Sequence, residues 1–246
     1  MFFSVFSVSV LPSVPLPLLC HYVNNAVEVL IFPRYYILLT GLSIVVRYLK
    51  WLSVNAKSFN VGSYRRADTP QPTADFFDTG NAEGERLRRA AAEAAVNDML
   101  RWFEHEGGHV GILDATNSTR SRRAWIEERC KSKGYDVMFV ESKCDDEELI
   151  MNNILEVKTT SPDYIGQDPE VAARDFRNRI RNYEKVYETI DESHLTYVKL
   201  INVSSQVIIN QVSNYLQTRI IYFTMNLHIT PRSIWLSRVR ELLPSA

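Results

Sequence analysis

Asp114 stands at the end of the apolar run His109–Leu113, and ATNSTRSRR follows it through Arg123. Such a run reads as a buried strand, and a strand of an open α/β sheet delivers its last residue to the edge where ligands bind. A carboxylate there can hold Mg²⁺ or take the proton of an attacking hydroxyl. The polar stretch after it, with Asn117 or Ser118 as cap, predicts a helix to about Lys131 whose first backbone N–H groups can meet an anion. An aspartate at such a turn can equally be a helix cap and nothing more.

What makes Asp114 interesting is the basic residues around it. Arg65-Arg66, Arg86/Arg88/Arg89, Arg120/Arg122/Arg123, Lys158 and Arg177/Arg179/Arg181 recur just after predicted strands or on helices that can face the same edge. Each cluster alone fits a solvated helix face. Together, in a chain with 28 Lys and Arg against 29 Asp and Glu, they suit a phosphorylated small substrate, because guanidinium groups take phosphate oxygens bidentately. Tyr183 lies one helical turn after Arg179, so both can point at one ligand, although Tyr183 also falls on the apolar stripe of its helix.

These residues need a scaffold, and composition permits one α/β domain. The chain has 246 residues, 46% hydrophobic and 23% charged, enough for a full core. A net charge of −1 provides no general attraction for nucleic acid or an anionic membrane. Cys20, Cys130 and Cys144 make no disulfide framework, which favours a reducing, cytoplasmic setting. The five histidines are scattered, and no metal-ligand spacing occurs. Residues 1–46 are apolar with Arg34 as the single basic residue, but Pro12, Pro15, Pro17, Glu28 and Pro33 interrupt them. That pattern fits neither a secretory signal nor a spanning helix, and residues 1–34 are expected to be an atypical extension.

From Tyr35 onward strand and helix periods alternate, which predicts a mostly parallel sheet with helices on both faces. Strands are expected at Tyr35–Thr40, Lys57–Val61, His109–Leu113, Val137–Val140, Tyr197–Val203 and Ser233–Leu236. Helices are expected at Ser43–Leu52, Glu83–His105, to Lys131, and over Asp146–Val157, Ala172–Ile190 and Gln206–Phe223. Ser63–Arg66 reads as a basic turn and Asp68–Thr79 as loop.

The strings KSFNVGSYRR (Lys57–Arg66), EGGHVGILDATNSTRSRRAWI (Glu106–Ile126), VESKC (Val140–Cys144), SPDY (Ser161–Tyr164), VKLINV (Val198–Val203) and MNLHITPRSIWLSR (Met225–Arg238) resemble the kinase domain of 6-phosphofructo-2-kinase/fructose-2,6-bisphosphatase. The resemblance runs in order from Arg47 to Arg238, which sets a domain at 35–238 and a tail at 239–246. It implies a fold like that of P-loop nucleoside triphosphate hydrolases. It also implies transfer of the γ-phosphoryl of MgATP to the 2-hydroxyl of fructose 6-phosphate, giving fructose 2,6-bisphosphate, by a domain that can form a homodimer. By the same resemblance Asp114 and Cys144 match active-site residues, and Arg65, Arg88, Thr116, Arg122, Lys158, Arg179 and Tyr183 match fructose 6-phosphate ligands. Asn153, Ile154, Leu155, Glu156, Val157 and Lys158 match a segment lining the ATP site.

Two departures cut against that activity. A P-loop needs Gly-x-x-x-x-Gly-Lys-[Ser/Thr] so that backbone N–H groups, a lysine and a hydroxyl hold the phosphates and Mg²⁺, and no such string occurs. Tyr35–Ser43 resembles the family's first strand and the opening of its loop, then passes through Ile44-Val45-Val46 to Arg47 with no lysine. Where the family's phosphatase domain opens with Arg-His-Gly, this chain reads Arg238-Val239-Arg240, so no phosphatase chemistry is expected of it. The expectation is a 6-phosphofructo-2-kinase-like chain with impaired transfer. The alternatives are a non-catalytic sugar-phosphate-binding protein or truncated product, and a membrane-tethered binding module resting on residues 1–46.

Overall fold

A computed structural model describes residues 28–32, 39–69, 72–155, 161–202 and 205–226. Six strands form one sheet: β1 (Glu28–Phe32), β2 (Ala56–Asn60), β3 (Val110–Asp114), β4 (Asp136–Lys143), β5 (Thr196–Ile201) and β6 (Gln206–Asn210). Their order across the sheet is β2-β3-β1-β4-β5-β6, and all pairs are parallel except β5 with β6. The helices are α1 (Leu39–Trp51), α2 (Val61–Asp68), α3 (Ala82–Glu106), α4 (Arg120–Lys131), α5 (Glu147–Asn153), α6 (Pro169–Glu184) and α7 (Tyr215–Met225). This is the α/β architecture expected, a mostly parallel sheet covered on both faces.

The period of two along each strand divides the core. Phe59, Leu113, Val137, Phe139 and Tyr197 point to one face, where Val96, Met99 and Phe103 of α3 and Ile126 of α4 pack on them. Val110, Ile112, Met138, Val140, Val198 and Leu200 point to the other, against Val45 and Leu49 of α1 and Leu216 and Ile220 of α7. The approach of α3 is close. A Cβ on Gly111 would lie 2.7 Å from the Phe103 ring and 2.8 Å from Met99, so β3 has no room for a side chain there. Gly107, at φ +63°, takes the left-handed cap that ends α3 and turns the chain into β3.

Several expected elements move. The central strand is Glu28–Phe32 rather than Tyr35–Thr40, so the sheet draws on residues within the expected extension, and Thr40 already belongs to α1. Val29, Leu30 and Ile31 suit a strand flanked on both edges, and Pro33 cannot continue a ladder. Ser63–Arg66, expected as a turn, is part of α2. Gln206–Asn210, expected to open a helix, is instead β6, because Val207, Ile208 and Ile209 pair antiparallel with β5 and α7 starts only at Tyr215. The stripe expected to run to Ile190 leaves the helix at Glu184. Tyr187, Thr189 and the Ile190 N–H then bond the buried Glu141 carboxylate, and Ile190 fills the core from outside any helix or strand. The helix expected over Asp146–Val157 is α5 followed by a wider turn at Ile154–Leu155. The Ser233–Leu236 strand lies outside the described residues.

Candidate functional site

Register sets the first residue of the site. Asp114 ends β3 directly opposite Asn60 of β2 and Phe32 of β1, so it stands at the carboxyl edge of the sheet beside its central strand. The Asn60 amide donates to Asp114 Oδ2 at 2.5 Å, and its side chain makes no capping bond to α2, whose first residue follows it. The cap of α4 is Thr119 rather than Asn117 or Ser118, accepting from the Arg122 N–H. Asn117 sits in the left-handed region at φ +38° and bends the chain between Asp114 and that cap.

A cavity of about 820 Å³ opens at this edge, and Arg65, Arg88, Asp114, Thr116, Arg122, Arg179 and Tyr183 all line it. Arg65 comes from α2, Arg88 from α3, Arg122 from α4, Arg179 and Tyr183 from α6, and Asp114 and Thr116 from the end of β3 and the turn after it. Its walls hold six arginines (Arg65, Arg66, Arg88, Arg89, Arg122, Arg179) against three carboxylates (Glu85, Asp114, Asp163). Such a surplus of positive charge in a concave wall suits an anionic ligand. The Phe77 ring is shared by three of the cations, with Arg179 at 4.5 Å, Arg65 at 5.4 Å and Arg88 at 6.0 Å from its centroid.

Asp163 organises one side of this cavity. Arg65 Nη2 spans both Asp163 oxygens at 2.8 Å, and Arg179 Nη1 reaches one of them at 2.9 Å. Burial works to raise this carboxyl, but hydrogen bonds and charge from Arg65 and Arg179 outweigh it and hold it below the ordinary carboxylate range. Arg179 also donates from Nε to Asp175 at 2.9 Å and from Nη2 to the Pro72 carbonyl. One helical turn after Arg179, Tyr183 hydrogen-bonds Thr116; burial pushes the Tyr183 phenol up, and Arg88 and that bond work against the rise. Burial lowers Arg122, and the nearby Arg89 adds repulsion. Both effects favour an anion beside the Arg122 guanidinium.

The remaining members of the basic clusters do other work. Arg120 pairs with Asp191, Arg177 with Glu147, and Arg86 with Glu83. Arg123 is fully buried against Glu192 and the carbonyl of Glu188. Cys144, expected beside Asp114, lies apart from the cavity: it follows β4 and packs against Ile150, Ile154, Ala173 and Ile180. Burial pushes its thiol up, which favours the protonated form. Of the expected nucleotide segment, Ile154 is fully buried and Leu155 lines a separate cleft of about 410 Å³ with Met151, Arg174 and Arg177. Asn153 closes α5, and Glu156, Val157 and Lys158 lie outside the described residues.

Sequence reading missed Asn60, Phe77 and Asp163, whose roles come from distant chain meeting the site. Asp163 is 98 residues from Arg65 and its neighbours Pro162 and Tyr164 carry no charge, so nothing in local spacing marks it.

The chain matches known proteins over the same span. The sequence profile of the 6-phosphofructo-2-kinase family matches residues 41–231. Fructose-2,6-bisphosphatase of Saccharomyces cerevisiae is 44% identical over 203 residues, covering 80% of this chain and 45% of that protein. The 6-phosphofructo-2-kinase/fructose-2,6-bisphosphatase 4 proteins of Rattus norvegicus and Homo sapiens are each 44% identical over 201 residues, 80% of this chain and 43% of theirs. The chain thus spans less than half the length of the curated relatives it matches. The Mycobacterium tuberculosis APS kinase in complex with AMPPNP and APS shares 10% identity at a TM-score of 0.47 over 81% of this chain and 95% of that one, a likeness too loose to bear on function. By the family profile and the identity to these relatives, the chain belongs to the 6-phosphofructo-2-kinase family.

Proposed function

We propose that the cavity binds fructose 6-phosphate and presents its 2-hydroxyl to Asp114, as in a 6-phosphofructo-2-kinase, with phosphoryl transfer from MgATP impaired in this chain. The observation that carries the reading is the convergence of Arg65, Arg88, Thr116, Arg122, Arg179 and Tyr183 on one cavity with Asp114 at its edge. The arginines supply charge for the phosphoryl group, and Thr116 and Tyr183 supply hydroxyls that can bond the sugar. In this reading Asp114, steadied by Asn60, accepts the proton of the attacking hydroxyl.

Nucleotide phosphates fit the chain poorly. Residues 33–38, between β1 and α1 in the sequence, read Pro-Arg-Tyr-Tyr-Ile-Leu and contain no glycine or lysine. Loss of one preorganised donor typically costs about 10²–10³ in rate, and here the lysine and the glycine-rich cradle are both missing. Among the described residues no three His, Cys, Asp or Glu side chains are grouped to hold a metal ion, so Mg²⁺ would depend on nucleotide oxygens for most of its ligands. A second reading, a sugar-phosphate-binding protein without turnover, rests on that same junction.

We place the chain in a cytoplasmic, reducing compartment, able to form homodimers and without nucleic acid as partner. Cys130 and Cys144 carry free thiols, and among the described residues no helix is long and apolar enough to cross a membrane.

The test is fructose 2,6-bisphosphate formation from MgATP and fructose 6-phosphate by the purified chain, beside fructose 6-phosphate binding by calorimetry. We expect binding, with turnover at least about 10²-fold below that of a relative with an intact loop. Any turnover should vanish in Asp114→Asn while binding stays within about three-fold. Absence of fructose 6-phosphate binding by the folded chain overturns the reading; binding without turnover favours the second one.

A further inference from the structure

The arginines of the cavity fall into two electrostatic classes. Arg65 and Arg179 are already neutralised: Arg65 Nη2 lies 2.8 Å from both oxygens of Asp163, and Arg179 contacts Asp163 and Asp175 at 2.9 Å each. Arg66 adds a third, longer contact to Asp163 at 3.3 Å. Arg179 is also fixed in orientation, its guanidinium lying 4.5 Å from the centroid of Phe77 and 4.6 Å from that of Tyr164. Arg65 Nη1 is buried without a hydrogen-bond partner.

Arg88 and Arg122 differ. Neither has an ion pair among the described residues. Arg88 donates to the Phe76 carbonyl and lies 5.7 Å from the Phe76 ring, and Arg122 lies 5.3 Å from the Trp125 ring. Among the described residues no carboxylate makes an ion pair with either one; burial and then Arg89 disfavour Arg122 as a cation, with Glu93 and Tyr183 working against them.

We propose that Asp163 is a resident counter-ion that sets which arginines receive the ligand's phosphoryl group. By pairing with Arg65 and, together with Asp175, with Arg179, it leaves them as fixed hydrogen-bond donors to the uncharged part of the ligand, and the dianion goes to Arg88 and Arg122. Asp163 touches the arginines and not the reacting atoms, so it is a positioning residue. Its charge also excludes a bare anion from the Arg65–Arg179 pair, and so helps the pocket prefer a sugar phosphate over orthophosphate. This rests on reading the cavity as the fructose 6-phosphate site.

The experiment measures binding of orthophosphate and of fructose 6-phosphate by calorimetry to the wild-type chain and to Asp163→Asn, Arg65→Met and Arg122→Met. Asp163→Asn should bind orthophosphate about ten-fold more tightly, because two guanidinium groups lose their carboxylate and accept the ion instead. Its preference for fructose 6-phosphate over orthophosphate should shrink accordingly. A merely structural carboxylate would weaken both ligands together, and that result would overturn the proposal. Asp163→Asn leaves buried cations and can fail to fold. In that event the two arginine variants decide. Arg122→Met should weaken orthophosphate about ten-fold, while Arg65→Met should change it less than about three-fold and weaken fructose 6-phosphate. Equal loss of orthophosphate in both arginine variants overturns the assignment, as does no orthophosphate binding by the wild-type chain. If the wild-type chain binds orthophosphate but not fructose 6-phosphate, the substrate reading falls and the orthophosphate comparisons still judge Asp163.

Discussion

The carboxyl of Asp163 faces Arg65 and Arg66 from α2 and Arg179 from α6, and Asp175 joins the same network through Arg179. Its pKa in the folded chain is held below the unfolded carboxylate value of about 3.9. A depressed carboxyl contributes stability that is fully present above the unfolded pKa and is lost as pH falls through the folded one. Thermal midpoints from pH 7 down to pH 3 should therefore show wild type ahead of Asp163→Asn near neutrality. The gap should narrow below about pH 4. A gap that stays constant to pH 3 would mean that Asp163 is not ionised against these arginines. Glu192, held low in part by Arg123, belongs to a separate buried pair and affects both proteins alike. Local sequence made Asp114 and the arginine clusters visible. It could not say that Arg122 faces the cavity while Arg123, its neighbour, is sealed in the core, since adjacent helical positions point about 100° apart and both are polar.

At the scale of elements, α4 is placed by a cap. Thr119 accepts from the Arg122 N–H, which fixes the first turn of the helix and with it the direction of Arg122. Thr119→Ala should cost about 1 kcal/mol in chemical denaturation. It should also weaken fructose 6-phosphate several-fold, because Arg122 loses its anchor. Asn214 caps α7 in the same way, accepting from Gln217, but α7 packs on the opposite face of the sheet. Asn214→Ala should match the stability loss and leave affinity unchanged; equal losses of affinity would show that the effect is general softening. Strand and helix alternation was legible through the middle of the chain because apolar runs bounded by Gly and polar residues leave few alternatives. It misled at Gln206–Asn210 and beyond Glu184, where tertiary partners decide. β6 exists because β5 offers it an edge, and the segment after α6 is drawn out by the buried Glu141.

Over the whole molecule, the carboxyl edge of the sheet holds the basic cavity that we propose as the sugar-phosphate half of a kinase site. Four helices and the β3–α4 connection line that cavity, whereas the sequence between β1 and α1 reads Pro-Arg-Tyr-Tyr-Ile-Leu. Replacing residues 33–38 with a Gly-x-x-x-x-Gly-Lys-Ser turn should create measurable ATP binding. It should also raise fructose 2,6-bisphosphate formation by about 10²-fold or more, with fructose 6-phosphate affinity unchanged. A folded variant that binds ATP without gaining turnover would locate the deficit elsewhere than in the junction.

The sequence by itself determined the α/β class, the position of Asp114 at a strand end, the set of basic residues and the absence of a phosphate loop. These depend on local period, local composition and the presence or absence of a contiguous string. Tertiary structure alone decided that Glu28–Phe32 is the central strand, since only pairing with β3 and β4 on either side distinguishes it from other apolar stretches nearby. It also decided that Cys144 stands apart from the cavity and that Phe77 and Asp163 belong to it. The roles of Phe77 and Asp163 depend on contacts between residues about a hundred positions apart, and a charge or a ring acquires its role only when the fold supplies the groups it faces.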